Sequence, residues 1–387
     1  MYGITTYEEE TAANGDYIIL ANGHTLIIRP SDYSKVSSHW EQVDTIVKET
    51  KVVAKYNVTD TSNPTALRTS YEQNIFKSME IDGVMLDGLV TEYTFNTTGV
   101  HTVKYELYDE TKLGNSAPTF YNNNLIEVTI PDGVTTIGNN AFMSCTNLTT
   151  VVISNSVTTI GDNVFNGCSG LTSINIPNNV TTIGSSAFYA CSGLTSVTIG
   201  SGVTSIGSGA FNGCSSLTTA VINSNAALVF GLFNSSSLQT VTIGNDVTSI
   251  GSSVFNYCSS LTTVTIGNSV TTIGSQAFSN CSNLTSIVIP NSVISIGNNA
   301  FYNCSSLTSC TIGTGVTSIG ESAFYGCSGL TSIVSNASVA PTITDYTFQS
   351  VKTNGTLAVQ AGSTGYDIWM SIENYYLGKY NWTKVEQ

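Results

Sequence analysis

The cysteines are the first residues of this sequence that could do chemistry, because they are regularly spaced. Eight of the nine fall into two runs in which each cysteine follows the previous one by 23 residues. A metal site is not expected, since no Cys-x-x-Cys pair and no nearby histidine accompanies them. Side chains stacked on neighbouring parallel strands keep their Cβ atoms about 4.8 Å apart, beyond the ~3.8 Å usual in a disulfide. We therefore expect a structural ladder of free, buried thiols: Cys145, Cys168, Cys191, Cys214, Cys258, Cys281, Cys304 and Cys327.

The other groups capable of catalysis are too scattered to form an active site. The three histidines, His24, His39 and His101, all precede the cysteine-bearing part of the chain, so no serine there has a base nearby. Acidic residues in that part are few and unpaired, whereas a glycosidase needs two carboxylates in one cleft. The sequence therefore predicts a protein that is not an enzyme and that uses no cofactor.

Charge and hydropathy exclude two further classes of function. The 12 basic and 26 acidic residues give a net charge of -14, which disfavours binding to nucleic acid or to an anionic membrane. No apolar run approaches the roughly 20 residues that span a bilayer, so we expect no membrane insertion. The start, "MYGITTYEEE", lacks the basic and apolar regions of a signal peptide. We expect that a leader was removed or that the protein leaves its cell by another route, such as a virus particle.

The cysteine spacing belongs to a longer repeat that also includes leucine and phenylalanine. In the unit that begins at Leu194, the alternation of Val197 and Ile199 predicts a short strand. A second apolar segment ends at Gly207, and the spacing around Phe211 predicts one turn of α- or 3-10 helix. One unit cannot enclose its apolar side, but stacked units share a continuous core. The inward residues of this unit are Leu194, Val197, Ile199, Val203, Ile206, Ala210, Phe211 and Cys214. Cys310 occupies the inward strand position of Val197 in its own unit and is also expected to be buried.

The recurring patterns L-x-x-V-x-I, V-T-S-I-G and A-F-x-x-C resemble the leucine-rich repeats of the BspA-like (Treponema-type) family. They recur from about Leu113 to Phe348, which is about 60% of the chain. The resemblance implies a mainly β fold with short helical or 3-10 turns. Its centre is a right-handed leucine-rich-repeat solenoid of ~23-residue coils, with a small β-domain before it and a capping segment after it.

Four segments are expected along the chain. An N-terminal β-hairpin module occupies residues 1–47, and a small β-sandwich-like domain occupies residues 48–112. The solenoid follows in residues 113–350, and residues 351–387 form a strand–helix cap. These boundaries mark where the repeat pattern begins and ends.

Local patterns give the expected elements of the flanking segments. Asn22-Gly23, between two apolar runs, predicts a two-residue hairpin turn. Alternating residues over 91–108 predict a second hairpin that turns at residues 97–99. In the cap, Trp369 and Ile372 are three residues apart, which predicts a helix over residues 366–375.

Outward side chains of the predicted strands form a flat, neutral surface that is rich in hydroxyl groups. Threonine and serine suit exposed strands, so solubility alone could explain them. The alternative is that the surface docks a protein or a glycan of low charge. Tyr189, Tyr302 and Tyr325 follow core phenylalanines and are also expected to be exposed. The candidate binding residues are Ser173, Asn175, Ser196, Thr198, Thr240, Thr242, Thr263 and Thr265.

One unit breaks the repeat. The unit between Leu217 and Leu238 is two residues short and lacks the ladder cysteine. Phe230 and Leu232 are extra apolar residues within it. They either repack inside the coil or form an exposed apolar contact, so they are further candidate binding residues.

The resemblance also implies a function, because members of the family are surface proteins implicated in binding host matrix proteins and other cells. We expect non-enzymatic recognition or adhesion, with a protein or glycan partner on a host or neighbouring cell surface. The expected location is extracellular or at the cell surface. Two alternatives stay open: a phage virion appendage that docks on a host surface, and a secreted carbohydrate-binding accessory protein.

Overall fold

The computed structural model describes residues 17–21, 24–28, 50–70, 75–114, 117–121, 123–225, 233 and 237–387, with side chains from residue 50 onward. The chain divides into two compact units, Met1–Thr50 and Lys51–Gln387. In the first unit, strand β1 (Tyr17–Ala21) pairs antiparallel with β2 (His24–Ile28), which agrees with the predicted hairpin. The turn residues 22–23 lie outside the described residues.

The second unit begins with strands that join the first coil of the repeat. Strand β8 is the centre of a six-stranded sheet and pairs antiparallel with β3 and β5. Strand β10 of the first coil pairs antiparallel with β3, so the sheet continues into the repeats. These strands are β3 (Val52–Val58), β4 (Thr65–Ala66), β5 (Phe76–Ile81), β6 (Val84–Met85), β7 (Glu92–Tyr93) and β8 (Gly99–Leu107). We call residues 51–107 the upstream sheet.

The predicted hairpin over residues 91–108 is wrong. Strand β7 pairs with β4, while β8 lies between β3 and β5. The backbone groups of the nine-residue β8 need hydrogen-bond partners along both edges, and β3 (seven residues) and β5 (six residues) are long enough to supply them. The two-residue β7 is too short to be such a partner.

In the described coils, long strands and short strands pair in parallel ladders with the equivalent strands of neighbouring coils, which confirms the predicted solenoid of ~23-residue coils. The long strands are β10 (Leu125–Thr129), β12 (Thr150–Val152), β14 (Ser173–Ile176), β16 (Ser196–Ile199), β18 (Thr219–Ile222), β19 (Thr240–Ile243), β21 (Thr263–Ile266), β23 (Ser286–Ile289), β25 (Ser309–Ile312) and β27 (Ser332–Ser335). The short strands are β9 (Lys112–Leu113), β11 (Thr136–Ile137), β13 (Thr159–Ile160), β15 (Thr182–Ile183), β17 (Ser205–Ile206), β20 (Ser249–Ile250), β22 (Thr272–Ile273), β24 (Ser295–Ile296) and β26 (Ser318–Ile319).

Close approach between coils explains the glycine that ends each V-T-S-I-G pattern. A Cβ atom added to Gly274 would lie 2.7 Å from the carbonyl carbon of Gly251, the equivalent glycine of the previous coil. Real Cβ atoms do not come that close to backbone. The glycine therefore permits the spacing at which the short strands stack.

The A-F-x-x-C segment forms tight turns and not the predicted turn of helix. Two residues of the segment have positive φ, as shown by Asn163 (53°) and Gly167 (76°) on either side of Phe165. Their N–H groups donate to the carbonyls of Ser185 and Tyr189 in the next coil, at 2.9 and 2.8 Å. A helix would bond these groups within its own turn, so the left-handed residues exist because they link adjacent coils.

One phenylalanine from each coil stacks in a continuous column through the core, which we call the phenylalanine spine. Neighbouring rings lie 5.0–5.9 Å apart and within 2–18° of parallel. The fixed 23-residue register gives each ring the same orientation, so the rings stack face to face with an offset. The spine consists of Phe120, Phe142, Phe165, Phe188, Phe211, Phe233, Phe255, Phe278, Phe301, Phe324 and Phe348.

The cap extends the long-strand ladder with β28 (Thr356–Val359) and β29 (Thr383–Glu386) and holds a 3-10 helix at Leu377–Tyr380. The predicted helix over residues 366–375 is wrong, because this stretch forms irregular turns. Trp369 is buried and donates from Nε1 to the Pro341 carbonyl at 3.0 Å, whereas Ile372 is 79% exposed. Asn374 adopts φ 50°, which is incompatible with a continuing helix.

Candidate functional site

The structure places the eight predicted hydroxyl and amide residues together on one five-stranded sheet. Strands β14, β16, β18, β19 and β21 are neighbours in that order, and all are parallel. Their outward side chains align in two columns because strand residues alternate between faces. The columns are Ser173, Ser196, Thr219, Thr240, Thr263 and Asn175, Thr198, Val221, Thr242, Thr265. We call these ten residues the hydroxyl face.

The hydroxyl face carries no charged side chain and is held in a fixed geometry. Neighbouring side chains within a column are separated by the distance between paired strands, about 4.8 Å. Most of the hydroxyl residues are threonine, which is stiff at χ1. A partner would therefore meet donors and acceptors that lose little side-chain entropy on binding.

Among the described residues, the hydroxyl groups of this face make almost no hydrogen bonds within the protein, unlike those of the neighbouring threonines. In the part of the chain that the structure describes, the only hydrogen bond made by a side chain of the face is a 3.4 Å contact between Thr263 Oγ1 and Thr262 Oγ1. By contrast, the threonine just before a long strand donates to the previous coil: Thr195 Oγ1 donates to the Thr172 carbonyl at 2.9 Å. A second column of threonines, before the short strands, makes the same contact. The repeat therefore has two kinds of hydroxyl: those that bond one coil to the previous one, and those of the hydroxyl face that stay available to a partner.

The cysteine ladder is buried as predicted, and its thiols are hydrogen-bonded. All nine cysteines are free and buried. Each ladder thiol donates to the carbonyl of the spine phenylalanine of the previous coil, as Cys168 Sγ does to Phe142 at 3.1 Å. The same bond, at 3.1–3.5 Å, is made by Cys145, Cys191, Cys214, Cys258, Cys281, Cys304 and Cys327.

Burial disfavours the thiolate form of these cysteines. It raises the pKa of Cys214 and Cys304 to about 12, despite backbone hydrogen bonds that act in the opposite direction. It also raises the pKa of Cys310 to about 12. Because the thiolate is the nucleophile and the metal ligand, the raised pKa makes these thiols poor nucleophiles and poor metal ligands at neutral pH.

The prediction for the tyrosines is only partly correct. Tyr189 is 42% exposed, but Tyr302 and Tyr325 are half-buried because their rings stack on each other at 4.8 Å. The most exposed tyrosine of the repeats described by the structure, Tyr257 at 67%, was not singled out by the sequence. The sequence feature that could have identified Tyr257 is its alignment with Gly167 of an earlier coil. In the structure both residues are left-handed, and Tyr257 has φ 63°.

Three further predictions concern residues or groups outside this face. Phe230 and Leu232 lie outside the described residues. Within the described ranges, no three His, Cys, Asp or Glu side chains come close enough together to hold a metal ion. No helix in those ranges is long and apolar enough to cross a membrane.

Comparison with known proteins agrees with this architecture. The model of the BspA type leucine rich repeat region matches residues 111–229 and 228–354, which is more than half of the chain. No curated protein sequence matches the chain.

Several solved structures are similar. A leucine-rich repeat protein from Bacteroides ovatus is 25% identical over 70% of this chain and 76% of its own, with a TM-score of 0.45. A leucine rich cell surface protein from Faecalibacterium prausnitzii is 25% identical over 59% of this chain and 84% of its own, with a TM-score of 0.29. A leucine rich repeat protein from T. pallidum is 24% identical over 56% of this chain and 86% of its own, with a TM-score of 0.31.

Proposed function

Because this chain belongs to the family of BspA type leucine rich repeat proteins, we propose that it is a non-enzymatic recognition protein that acts outside the cell or at its surface. Its docking surface is the hydroxyl face, and its partner is a protein or a glycan on a host or neighbouring cell. The observation that supports this proposal is the contrast between the two kinds of hydroxyl. Threonines beside the face donate to backbone carbonyls, while those of the face keep their hydrogen-bonding capacity for a partner.

The composition of the face also determines which partners suit it. A surface without charge excludes tight binding that depends on ion pairs, and it avoids the desolvation cost of burying an unpaired charge. The matching partner presents neutral groups that donate and accept hydrogen bonds, such as sugar hydroxyls or a polar protein surface. Affinity comes from many weak contacts across a broad area.

A charge-insertion experiment tests the proposal. Thr242 and Thr265 are paired on adjacent strands of the face, and the variant Thr242→Glu/Thr265→Glu puts two carboxylates there. The matched control is Ser249→Glu/Thr272→Glu, whose exposed residues are paired in the same way on the short strands. Binding is measured by surface plasmon resonance against immobilised extracellular-matrix proteins and by glycan array. We expect the face variant to lose binding by at least tenfold and the control to keep it.

A subtler variant separates hydrogen bonding from charge. Thr242→Val/Thr265→Val removes the hydroxyls but keeps the shape and the β-branched side chains. We expect it to weaken binding by a smaller factor than the glutamate variant. If the face variants bind as well as the control, the hydroxyls serve only to solvate the sheet and the proposal is wrong.

A further inference from the structure

A pocket of about 290 Å³ lies in the upstream sheet, outside the residues that the family model matches. Side chains from the turn after β5, from β7 and the segment that follows it, and from β8 line it. The residues that matter for its chemistry are Asp82, Tyr93, Phe95, Asn96, Thr97 and His101. Neither the repeat nor the hydroxyl face contributes to this pocket.

Aromatic rings form one side of the pocket. Phe95 is buried, and its ring lies 4.2 Å from the imidazole of His101 at an angle of 32°. The half-buried Tyr93 ring contacts Phe95 edge-on at 4.9 Å. The partly exposed ring of Tyr93 is therefore the flat apolar surface that the pocket offers, and packing against the buried Phe95 fixes its position.

A carboxylate held at a fixed position forms the polar side. His101 is 9% exposed, and its Nδ1 lies 2.7 Å from Asp82 Oδ2 while its Nε2 lies 2.9 Å from the Thr97 carbonyl. The backbone N–H of Thr102 donates to Asp82 Oδ1 at 2.9 Å. Both ring nitrogens of His101 thus have protein partners, and Nε2 also lies 3.4 Å from Thr97 Oγ1, so His101 positions Asp82 and has no group left for a ligand.

Asp82 keeps capacity to bind a ligand. Each carboxylate oxygen can accept more than one hydrogen bond, and each has one protein partner here. The side chain is 47% exposed, so the unused lone pairs can be reached from solvent. Hydrogen bonds from a hydroxyl to an ionised carboxylate are stronger than neutral ones. Asn96 and Thr97 add an amide and a hydroxyl at the exposed rim.

We propose that this pocket binds one ring of a neutral sugar. The C–H face of the ring packs on Tyr93, and two adjacent hydroxyls donate to Asp82. An anion would be repelled by Asp82, and an apolar side chain would leave the carboxylate without donors. The volume is at the small end of ligand pockets, which fits a single ring and not a longer chain.

The test is saturation-transfer NMR of the full chain with free glucose, galactose, mannose, fucose and N-acetylglucosamine, and with glucuronate as the charged comparison. We expect saturation of ring C–H signals for at least one neutral sugar and none for glucuronate. The variants Asp82→Asn and Tyr93→Leu should each weaken this binding by at least tenfold. Asn tolerates the positive φ of Asp82 (47°), and Leu keeps apolar packing without a flat ring.

Asp60→Asn is the matched control, because Asp60 is also a surface aspartate that accepts a backbone N–H, from Ser62. It should leave sugar binding unchanged. The inference is overturned if no neutral sugar gives saturation transfer at millimolar concentrations, or if both pocket variants bind as the control does. It is independent of the hydroxyl face, since Thr242→Glu/Thr265→Glu should not affect monosaccharide binding at this pocket.

Discussion

The repeats and the upstream sheet satisfy their buried polar groups in different ways. In the repeats the same contact recurs from coil to coil, as in the thiol of Cys281, which donates to the Phe255 carbonyl 26 residues earlier. In the upstream sheet each contact occurs once: Tyr56 and Tyr105, 49 residues apart, join their hydroxyls at 2.8 Å. A change in the repeats therefore affects one of many equivalent contacts, whereas a change in the upstream sheet removes a unique one.

The strongest expected effect is alkaline destabilisation of the repeats between pH 9 and 10, because all nine cysteines lie there, while burial raises the pKa of Tyr56 and Tyr105 in the upstream sheet above their ordinary value near 10. Burial raises the pKa of Cys310 from its ordinary value near 9 to about 12. A folded-state pKa above the unfolded one gives stability that is complete below pH 9 and is lost as the pH rises towards 12. Each such thiol should cost about 1.4 kcal/mol of unfolding free energy per pH unit in this window. Urea denaturation from pH 8 to 10 measures the slope below the range in which the buried tyrosines contribute.

Cys310→Val sharpens this measurement. Cys310 pairs in register with Ile287 and Ile333, so an aliphatic side chain suits the position. The variant should reduce the alkaline slope by the contribution of one thiol and leave stability at pH 7 nearly unchanged. An unfolding free energy that stays constant between pH 9 and 10 would contradict the buried, protonated ladder.

Truncating the spine should give the next largest effect, and a local one. Phe278 stacks between Phe255 and Phe301, at 5.3 and 5.5 Å. Phe278→Ala should cost about 3–5 kcal/mol through lost transfer free energy and a cavity. Hydrogen exchange should show lost protection in the adjacent coils only, because stability is close to a nearest-neighbour sum. The control, Val288→Ala, changes a residue that is 62% exposed and should have little effect. If the upstream sheet lost as much hydrogen-exchange protection as the adjacent coils, the prediction of a local effect would be wrong.

The sequence predicted the repeats well for a physical reason. A pattern that recurs in every coil specifies strand register and burial many times over, so Cys310 could be assigned to the core from its position alone. The backbone geometry of the turns was harder to predict from the sequence, because the interactions that favour positive φ at Asn163 come from the next coil. Likewise, Thr262 and Thr263 are adjacent and identical, and only the structure shows which one donates to a carbonyl.

The flanking elements were less predictable because their partners are remote in sequence. The hairpin over residues 91–108 was an interpretation of local alternation, but β8 pairs with strands on both sides. The pocket was missed for the same reason. Asp82 and His101 come together only through the pairing of β5 with β8, which no local motif indicates.

A moderate effect is expected from the tyrosine pair of the upstream sheet. The buried hydroxyl of Tyr56 donates to the Leu67 carbonyl at 2.7 Å, and that of Tyr105 reaches the same carbonyl at 3.2 Å. Tyr56→Phe should cost about 1 kcal/mol, since Tyr105 still serves the carbonyl. The double variant with Tyr105→Phe should cost more than twice as much, because the carbonyl then loses both side-chain donors. Urea denaturation measures both, with the exposed Tyr108→Phe as control. Simple additivity would show that the two hydroxyls act separately.

The smallest expected effect is a stabilisation that only the repeats can show. Ala190 has φ 54°, a left-handed conformation that is costly for alanine, while the equivalent residues of the neighbouring coils are Gly167 and Gly213. Ala190→Gly should relieve that cost and keep the bond from the residue 190 N–H to the Asn212 carbonyl. The net gain should be about 0.5 kcal/mol, because glycine also loses more entropy on folding. Ala210→Gly is the matched control: Ala210 is buried and its φ is not positive, so the same substitution should destabilise. If Ala190→Gly raises the melting temperature and Ala210→Gly lowers it, the left-handed positions link the coils at a conformational cost. Melting temperatures that change in the same direction would refute this.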